Sequence, residues 1–129
     1  MRPCTRLEAT QVIAITETPD TGINAPSCVA QYGPASAKCQ KKRSKALLKD
    51  PPQSFAVKAM GGTVPEVDMN DLLCTTKVCP AVVGNVLVYI DNHHFTQAYG
   101  ETLAPYLKQR LLATGVMQQV LRKSPQGAS

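Results

Sequence analysis

Apolar residues in this chain come in short clusters cut apart by turn chemistry, which predicts brief strands and a few helices. Gln11-Val-Ile-Ala-Ile15 is a β-branched run that predicts a buried strand. Thr18-Pro-Asp-Thr-Gly22 ends it with strong turn residues. The stretch from Ile23 to Gly33, carrying Pro26 and followed by Pro34, reads as a long irregular excursion. Ala35 to Leu48 is helix-permissive, rich in Ala, Lys, Gln and Arg, although its apolar stripe is thin. Pro51-Pro52 stops it, and Pro52 can open the next helix, Gln53 to Met60. Gly61-Gly62 stands where a helix C-terminus wants residues of left-handed conformation. Thr63-Val-Pro-Glu-Val-Asp68 reads as a second strand, Pro65 implying an edge or an irregular start. Asp68 or Asn70 can cap a short turn running to Cys74.

The next pattern is a hairpin or a bulge. Pro80-Ala-Val-Val83 and Val86-Leu-Val-Tyr89 flank Gly84-Asn85, a pair suited to a tight two-residue connection. Asn85 could instead donate to an oxyanion, but turn formation is the better reading. From Phe95 onward, Tyr99, Leu103, Tyr106, Leu107 and Leu111 recur at helical spacing with Glu101, Lys108 and Arg110 between them. Pro105 within that pattern predicts a kink or a restart. A weaker repeat at Val116, Val120 and Leu121 leads to a frayed tail. The order strand, helix, strand, strand, helix suggests part of an α/β layered domain.

Length and composition narrow the class. A chain of 129 residues suffices for one domain with a modest core. The longest apolar run, Ala81 to Ile90, is interrupted at Gly84-Asn85 and falls short of the roughly 20 residues that span a bilayer. The N-terminus has no apolar core of a signal peptide. Tryptophan is absent, which argues against an aromatic carbohydrate platform. The formal charge of +5 is concentrated, because Lys38, Lys41, Lys42, Arg43, Lys45 and Lys49 share one segment. This cluster reads first as a solvated helix face and second as a footprint for an anionic polymer. No zinc-finger spacing or interleaved aromatic supports a nucleic-acid partner.

Cysteine usage points to compartment. Cys28 with Cys39, and Cys74 with Cys79, form two close pairs, and Cys4 stands alone as an incidental thiol. Local pairs in loop-like sequence fit two short-loop disulfides, which persist in an oxidising environment; free structural thiols are the alternative. A metal centre is not expected, since neither pair is Cys-x-x-Cys and His93 and His94 are adjacent rather than spaced as ligands. Cysteines suited to export, without an export signal, are reconciled if the chain follows a segment already in a membrane.

One cluster can carry chemistry. In Asp91-Asn92-His93-His94, just past the predicted strand, a carboxylate precedes an imidazole by three positions. His94 can take a proton from a serine hydroxyl, and Asp91 can fix its tautomer and stabilise the imidazolium that forms. The competing reading makes Asp91 a helix cap with His94 in the first turn. His93 is a rival base, but its spacing from Asp91 turns the ring elsewhere in most turns. The serines Ser27, Ser36, Ser44, Ser54, Ser124 and Ser129 lack a Gly-x-Ser-x-Gly or Gly-Asp-Ser setting. The nucleophile is therefore expected from outside the chain.

Three blocks in order resemble a known family. These are the strand with Thr18-Pro19 and Pro26-Ser-Cys28, then Val67-Asp68-Met-Asn-Asp71-Leu-Leu-Cys74, then Cys79-Pro80-Ala-Val-Val-Gly84-Asn85-Val-Leu-Val-Tyr89 with Asp91, His94 and Thr96 and the helix reaching Leu103-Ala104-Pro105. Together they resemble the extracytoplasmic C-terminal SGNH-type domain of bacterial membrane-bound O-acyltransferases, the acyltransferase-three family, over roughly residues 10 to 112. The resemblance implies a three-layer α/β/α, flavodoxin-like fold of which this chain is the second half, lacking the N-terminal nucleophile strand. It implies Asp91 and His94 as the acid–base pair, the cysteines as disulfides of family loops, and no cofactor. Implied partners are an acyl donor, an envelope glycan or lipid acceptor, the other half-domain and a membrane acyltransferase domain, which would place the chain on the extracytoplasmic face of a bacterial membrane. Glu17, where an aspartate is expected, and the extra His93 depart from the pattern.

The expected layout is a disordered segment at 1–9, the half-domain at 10–113 and a flexible tail at 114–129. Alone, such a half lacks serine and oxyanion donors and should be inactive. Without its first strand it should also expose a core edge prone to aggregation. Two other classes stay open: a non-enzymatic module whose basic face binds an anionic envelope polymer, and a free-standing esterase with a non-standard nucleophile.

Overall fold

Each strand among the described residues is two residues long, and β-branched runs are cut at Pro80 and Gly84. The computed structural model describes residues 11–116. The expected disorder at 1–9, the incidental Cys4 and the Val120–Leu121 end of the tail lie outside them.

The first strand, β1 (Ala14–Ile15), pairs in parallel with β3 (Glu66–Val67), Ala14 opposite Glu66 and Ile15 opposite Val67. Between them run α1 (Ala25–Tyr32), β2 (Lys41–Lys42), α2 (Arg43–Ala46) and α3 (Pro52–Ala59), so the pair is the open end of a β–α–β crossover. β2 pairs antiparallel with β4 (Val78–Cys79), and β5 (Val82–Val83) with β6 (Val86–Leu87). The long helix α4 (Gln97–Ala113) follows. Among the described residues the architecture is thus mixed α/β with three small two-stranded sheets.

The hairpin expectation is met at Gly84-Asn85. Gly84 (φ 56°) and Asn85 (φ 62°) are both left-handed, as the favoured two-residue turn requires, and Val83 faces Val86 across it. Asn85 therefore serves the turn. Pro52 opens α3, and Gly61 and Gly62 follow it at φ 78° and 71°.

Three expectations are corrected. Residues 23–33 are not irregular: Asn24 caps α1 by accepting from the Ser27 amide at 3.0 Å, Pro26 sits in the first turn, and Gly33 closes the end. The basic stretch 35–48 is not one helix face. A 3₁₀ turn (Ala37–Cys39), β2 and α2 divide it, because Cys39 is held by a disulfide and Lys41 is drawn opposite Cys79. Pro105 neither splits nor restarts α4, which runs through it on an exposed face.

Both cysteine pairs are joined, Cys28 to Cys39 and Cys74 to Cys79. All four are buried, and the β2–β4 pairing places Lys41, two residues past Cys39, opposite Cys79. The core gathers Leu73, Val88 and Tyr89, each fully buried, beneath Tyr99 and Leu103 of α4. Phe95 packs between the rings of Tyr89 and Tyr99, with centroids at 5.9 and 6.5 Å. Arg110 clamps the far end of α4 through a two-pronged pair with Asp71 at 2.6 and 2.7 Å. That pair holds the Asp71 carboxyl below its ordinary range. By contrast, Ile15, Leu48 and Phe55 remain exposed around β1 and α3, Phe55 at 75%.

Candidate active site

Past β6 the chain makes a tight reversal. Tyr89 and Phe95 face each other in an antiparallel bridge, and the Ile90 amide donates to the His94 carbonyl at 2.8 Å. Thr96 closes the reversal: its hydroxyl donates to the Leu87 carbonyl at 2.6 Å and accepts from the Tyr99 amide at 3.1 Å as the N-cap of α4. The helix begins at Gln97, so neither Asp91 nor His94 belongs to it, and the helix-cap reading of Asp91 is set aside.

Asp91 organises the loop instead. Its Oδ1 accepts from the backbone amides of His93 at 2.8 Å and His94 at 2.7 Å, an Asx turn. The second oxygen, Oδ2, lies 2.7 Å from His94 Nδ1. These contacts push the Asp91 carboxyl well below the usual carboxylate range, the His94 amide contributing most, then the His93 amide, then the His94 ring. Because an ionised carboxylate can only accept, His94 Nδ1 is the donor, and in the neutral imidazole this tautomer leaves the lone pair on Nε2. No partner for Nε2 occurs among the described residues, and the His94 side chain is 64% exposed. His93 is differently placed, its Nδ1 at 3.9 Å from Asp91 Oδ1 and its ring 4.0 Å from that of His94.

A neighbouring loop pins this turn from behind. The Thr21 amide and hydroxyl each donate to the Asn92 carbonyl at 2.9 Å, and Asn92 Nδ2 donates to Asp20 Oδ1 at 3.0 Å. The Ala25 amide reaches the Asp91 carbonyl at 3.3 Å. Sequence reasoning read Thr18–Gly22 only as a strand breaker; nothing in its composition signals a brace for a loop 71 residues away.

No described serine bonds His94. The Ser54 hydroxyl donates to Glu66 Oε1 at 2.6 Å, which together with Thr16 holds the Glu66 carboxyl below its ordinary value. Ser36 and Ser44 lie elsewhere, on the 37–39 turn and in an open groove of about 1120 Å³. Lys41, Arg43, Lys45, Lys49 and Lys77 line that groove, facing Glu17, Asp20, Glu66 and Asp68. The groove also meets Asn70, buried, whose Nδ2 donates to the Glu17 carbonyl at 3.0 Å and whose Oδ1 has no partner among the described residues.

The paired carboxylate and imidazole sit in a chain whose family is shown by comparison. The model of the SGNH domain fused to AT3 domains matches residues 4–109. The chain belongs to this family. It is an acyltransferase-associated SGNH module, with the disulfides expected of it in place. Comparison with curated proteins and with solved structures returns no match. Among the described residues, no helix of this SGNH module is long and apolar enough to cross a membrane.

Proposed function

We propose that this SGNH module is the base-bearing half of an O-acyltransferase site, with residues 10–113 as the C-terminal part of a three-layer α/β/α, flavodoxin-like domain. The observation that carries the reading is the 2.7 Å contact between Asp91 Oδ2 and His94 Nδ1, with Nε2 open to solvent. In the assembled site, Nε2 takes the proton from a serine hydroxyl supplied by another segment as that oxygen attacks an acyl carbonyl. Asp91 holds the tautomer and stabilises the imidazolium. The leaving group of the acyl donor takes the proton back. An acceptor hydroxyl on an envelope glycan or lipid then attacks the acyl-serine, giving its proton to Nε2, which returns it to the departing serine oxygen. This places the work on the extracytoplasmic face of a bacterial membrane, beside the AT3 domain, and the two disulfides suit that compartment. Alone, the chain is inactive.

Support for a missing partner comes from the surface. β1 pairs only with β3 among the described residues, and Ile15, Leu48 and Phe55 stand exposed around it. An unpaired edge beside apolar side chains is what an absent strand leaves behind.

The test is to add a serine-bearing half-domain of the same family, in cis or in trans, and follow acyl transfer to a soluble acceptor. His94→Ala abolishes transfer, while His93→Ala is milder. Equal losses overturn the choice of base. No transfer with any such half overturns the reading.

A second reading is favoured by the groove. Five cationic side chains there (Lys41, Arg43, Lys45, Lys49 and Lys77) would hold an anionic envelope polymer without catalysis. Salt-sensitive binding of such a polymer by the chain alone, lost on reversing Lys45 and Lys49, would move this reading forward. A free-standing esterase would instead show ester hydrolysis that vanishes in His94→Ala with the fold intact.

A further inference from the structure

Adjacent histidines usually project apart, yet the Asx turn at Asp91 folds His93 and His94 back towards a single carboxylate. One ligating atom from each of Asp91, His93 and His94 lies within 4.8 Å of the other two. We propose that these three side chains form a site for a divalent transition metal, zinc being the ion their chemistry suits, and that the metal competes with the Asp91–His94 hydrogen bond.

The geometry is close to what a tetrahedral ion asks. Metal–ligand bonds of about 2.0–2.2 Å set ligand atoms roughly 3.3–3.5 Å apart. Asp91 Oδ2 lies 2.7 Å from His94 Nδ1 and Oδ1 lies 3.9 Å from His93 Nδ1, and one ligating atom of each residue stays within 4.8 Å of the others. Both imidazoles are well exposed, so small side-chain rotations close the difference without moving the core. Backbone amides occupy Asp91 Oδ1, which leaves Oδ2 as the carboxylate ligand. Two nitrogens and one oxygen, with a fourth position open to water, is the ligand set of an accessible zinc site.

The consequence lies in proton placement. His94 Nδ1 cannot both donate to Asp91 and ligate a metal. When zinc binds there, the Nδ1 proton leaves to solvent and a proton from solvent fills Nε2, so the ring stays neutral with its tautomer reversed. On the catalytic reading above, this removes the lone pair that would accept the serine proton, and zinc becomes a reversible inhibitor. That last step rests on the catalytic reading; metal binding does not.

The experiment is calorimetric titration of the oxidised full chain with zinc chloride, in a Cys4→Ser background so that no free thiol competes. One saturable site is expected, weakened more than about tenfold in His93→Ala. In nitrogen NMR, zinc should move the His94 proton from Nδ1 to Nε2. Absence of saturable binding up to millimolar zinc overturns the proposal, as does equal affinity in His93→Ala. The two readings fail separately. An assembled module that turns over and ignores zinc sinks this one alone. Zinc binding by a chain that never supports turnover sinks the catalytic one alone.

Discussion

Two buried tyrosines should answer the same substitution with opposite signs. Tyr89 is fully buried and its hydroxyl has no hydrogen-bond partner among the described residues. Tyr99 is 4% exposed, and its hydroxyl donates to the Leu72 carbonyl. A buried hydroxyl without a partner costs about 1–3 kcal/mol of lost hydration. Tyr89→Phe deletes that oxygen while keeping the ring that packs on Phe95, so the variant should be more stable by about 1 kcal/mol or more. Tyr99→Phe breaks a made bond and strands a carbonyl, and should cost about 1–2 kcal/mol. For a domain of this size each kcal/mol moves the melting midpoint by about 4 °C, so the variants should fall on either side of the parent.

The assay is urea and thermal unfolding with the disulfides intact, read by near-ultraviolet circular dichroism. Alkaline pH gives an independent check. Burial, with Tyr99 as the smaller contributor, raises the Tyr89 phenol above its usual value. The folded state therefore holds its proton more tightly than the unfolded chain does. Its contribution is complete below about pH 10 and is lost as the pH rises beyond that. Tyr89→Phe should flatten part of this alkaline decline. A Tyr89→Phe midpoint at or below the parent's, or equal losses in both variants, refutes the assignment of an unpartnered hydroxyl.

Three further outcomes are expected. The Cys28–Cys39 link closes 11 residues and Cys74–Cys79 closes 5, so loop-entropy arithmetic makes removal of the first costlier, about 2.8 against about 2.1 kcal/mol; guanidinium unfolding of the paired serine variants measures the order, and a reversed order defeats the estimate. Asp91→Asn preserves the Asx turn but offers an amide donor at the position of Oδ2, so the His94 proton should shift from Nδ1 to Nε2 in nitrogen NMR, and transfer in an assembled module should fall on the order of a thousandfold or more; an unchanged tautomer contradicts the geometry. Finally, the Asp91 carboxyl should titrate below the ordinary value of about 3.9, since its folded form is stabilised as the anion. Its contribution is then complete above that value and lost as the pH falls through the folded midpoint. Carbon NMR of the carboxyl reads it, and a midpoint at or above 3.9 is the contrary result.

How far the chain could be read depended on how local each determinant was. Gly84-Asn85 announced a two-residue turn because left-handed conformations are needed there and few other residues accept them. Asp91 and His94 were legible for the same reason: three positions and one turn contain the whole interaction. Helix α1 was missed although its signals were present. Pro26 was read as part of an irregular stretch and Asn24 was passed over, when together they are a first turn and its cap. The basic stretch misled in the other direction. Its residues favour helix individually, but Cys39 and the pairing of Lys41 with Cys79 are long-range constraints that override propensity. The brace from Thr21 to Asn92 and the convergence of His93 on Asp91 were not legible, because both depend on how distant or adjacent backbones turn in space.

The construction of the loop bears on what would limit an assembled site. Imidazole and carboxylate arise from one turn, closed on itself by the Ile90–His94 bond and the Thr96 cap, and braced by Thr21. None of these contacts draws on a serine-bearing segment. On the proposed reading, the reorganisation needed to align imidazole and carboxylate is already met before the other half arrives. What the other half must supply is a serine at the right distance from Nε2, and the means of holding it there is the exposed apolar surface at Ile15, Leu48 and Phe55 beside the edge of β1 that no described residue pairs. Substitutions in that surface should therefore raise the concentration of partner needed for half-maximal transfer and leave the saturated rate alone, whereas substitutions at Asp91 or His94 should lower the saturated rate and leave the partner requirement unchanged.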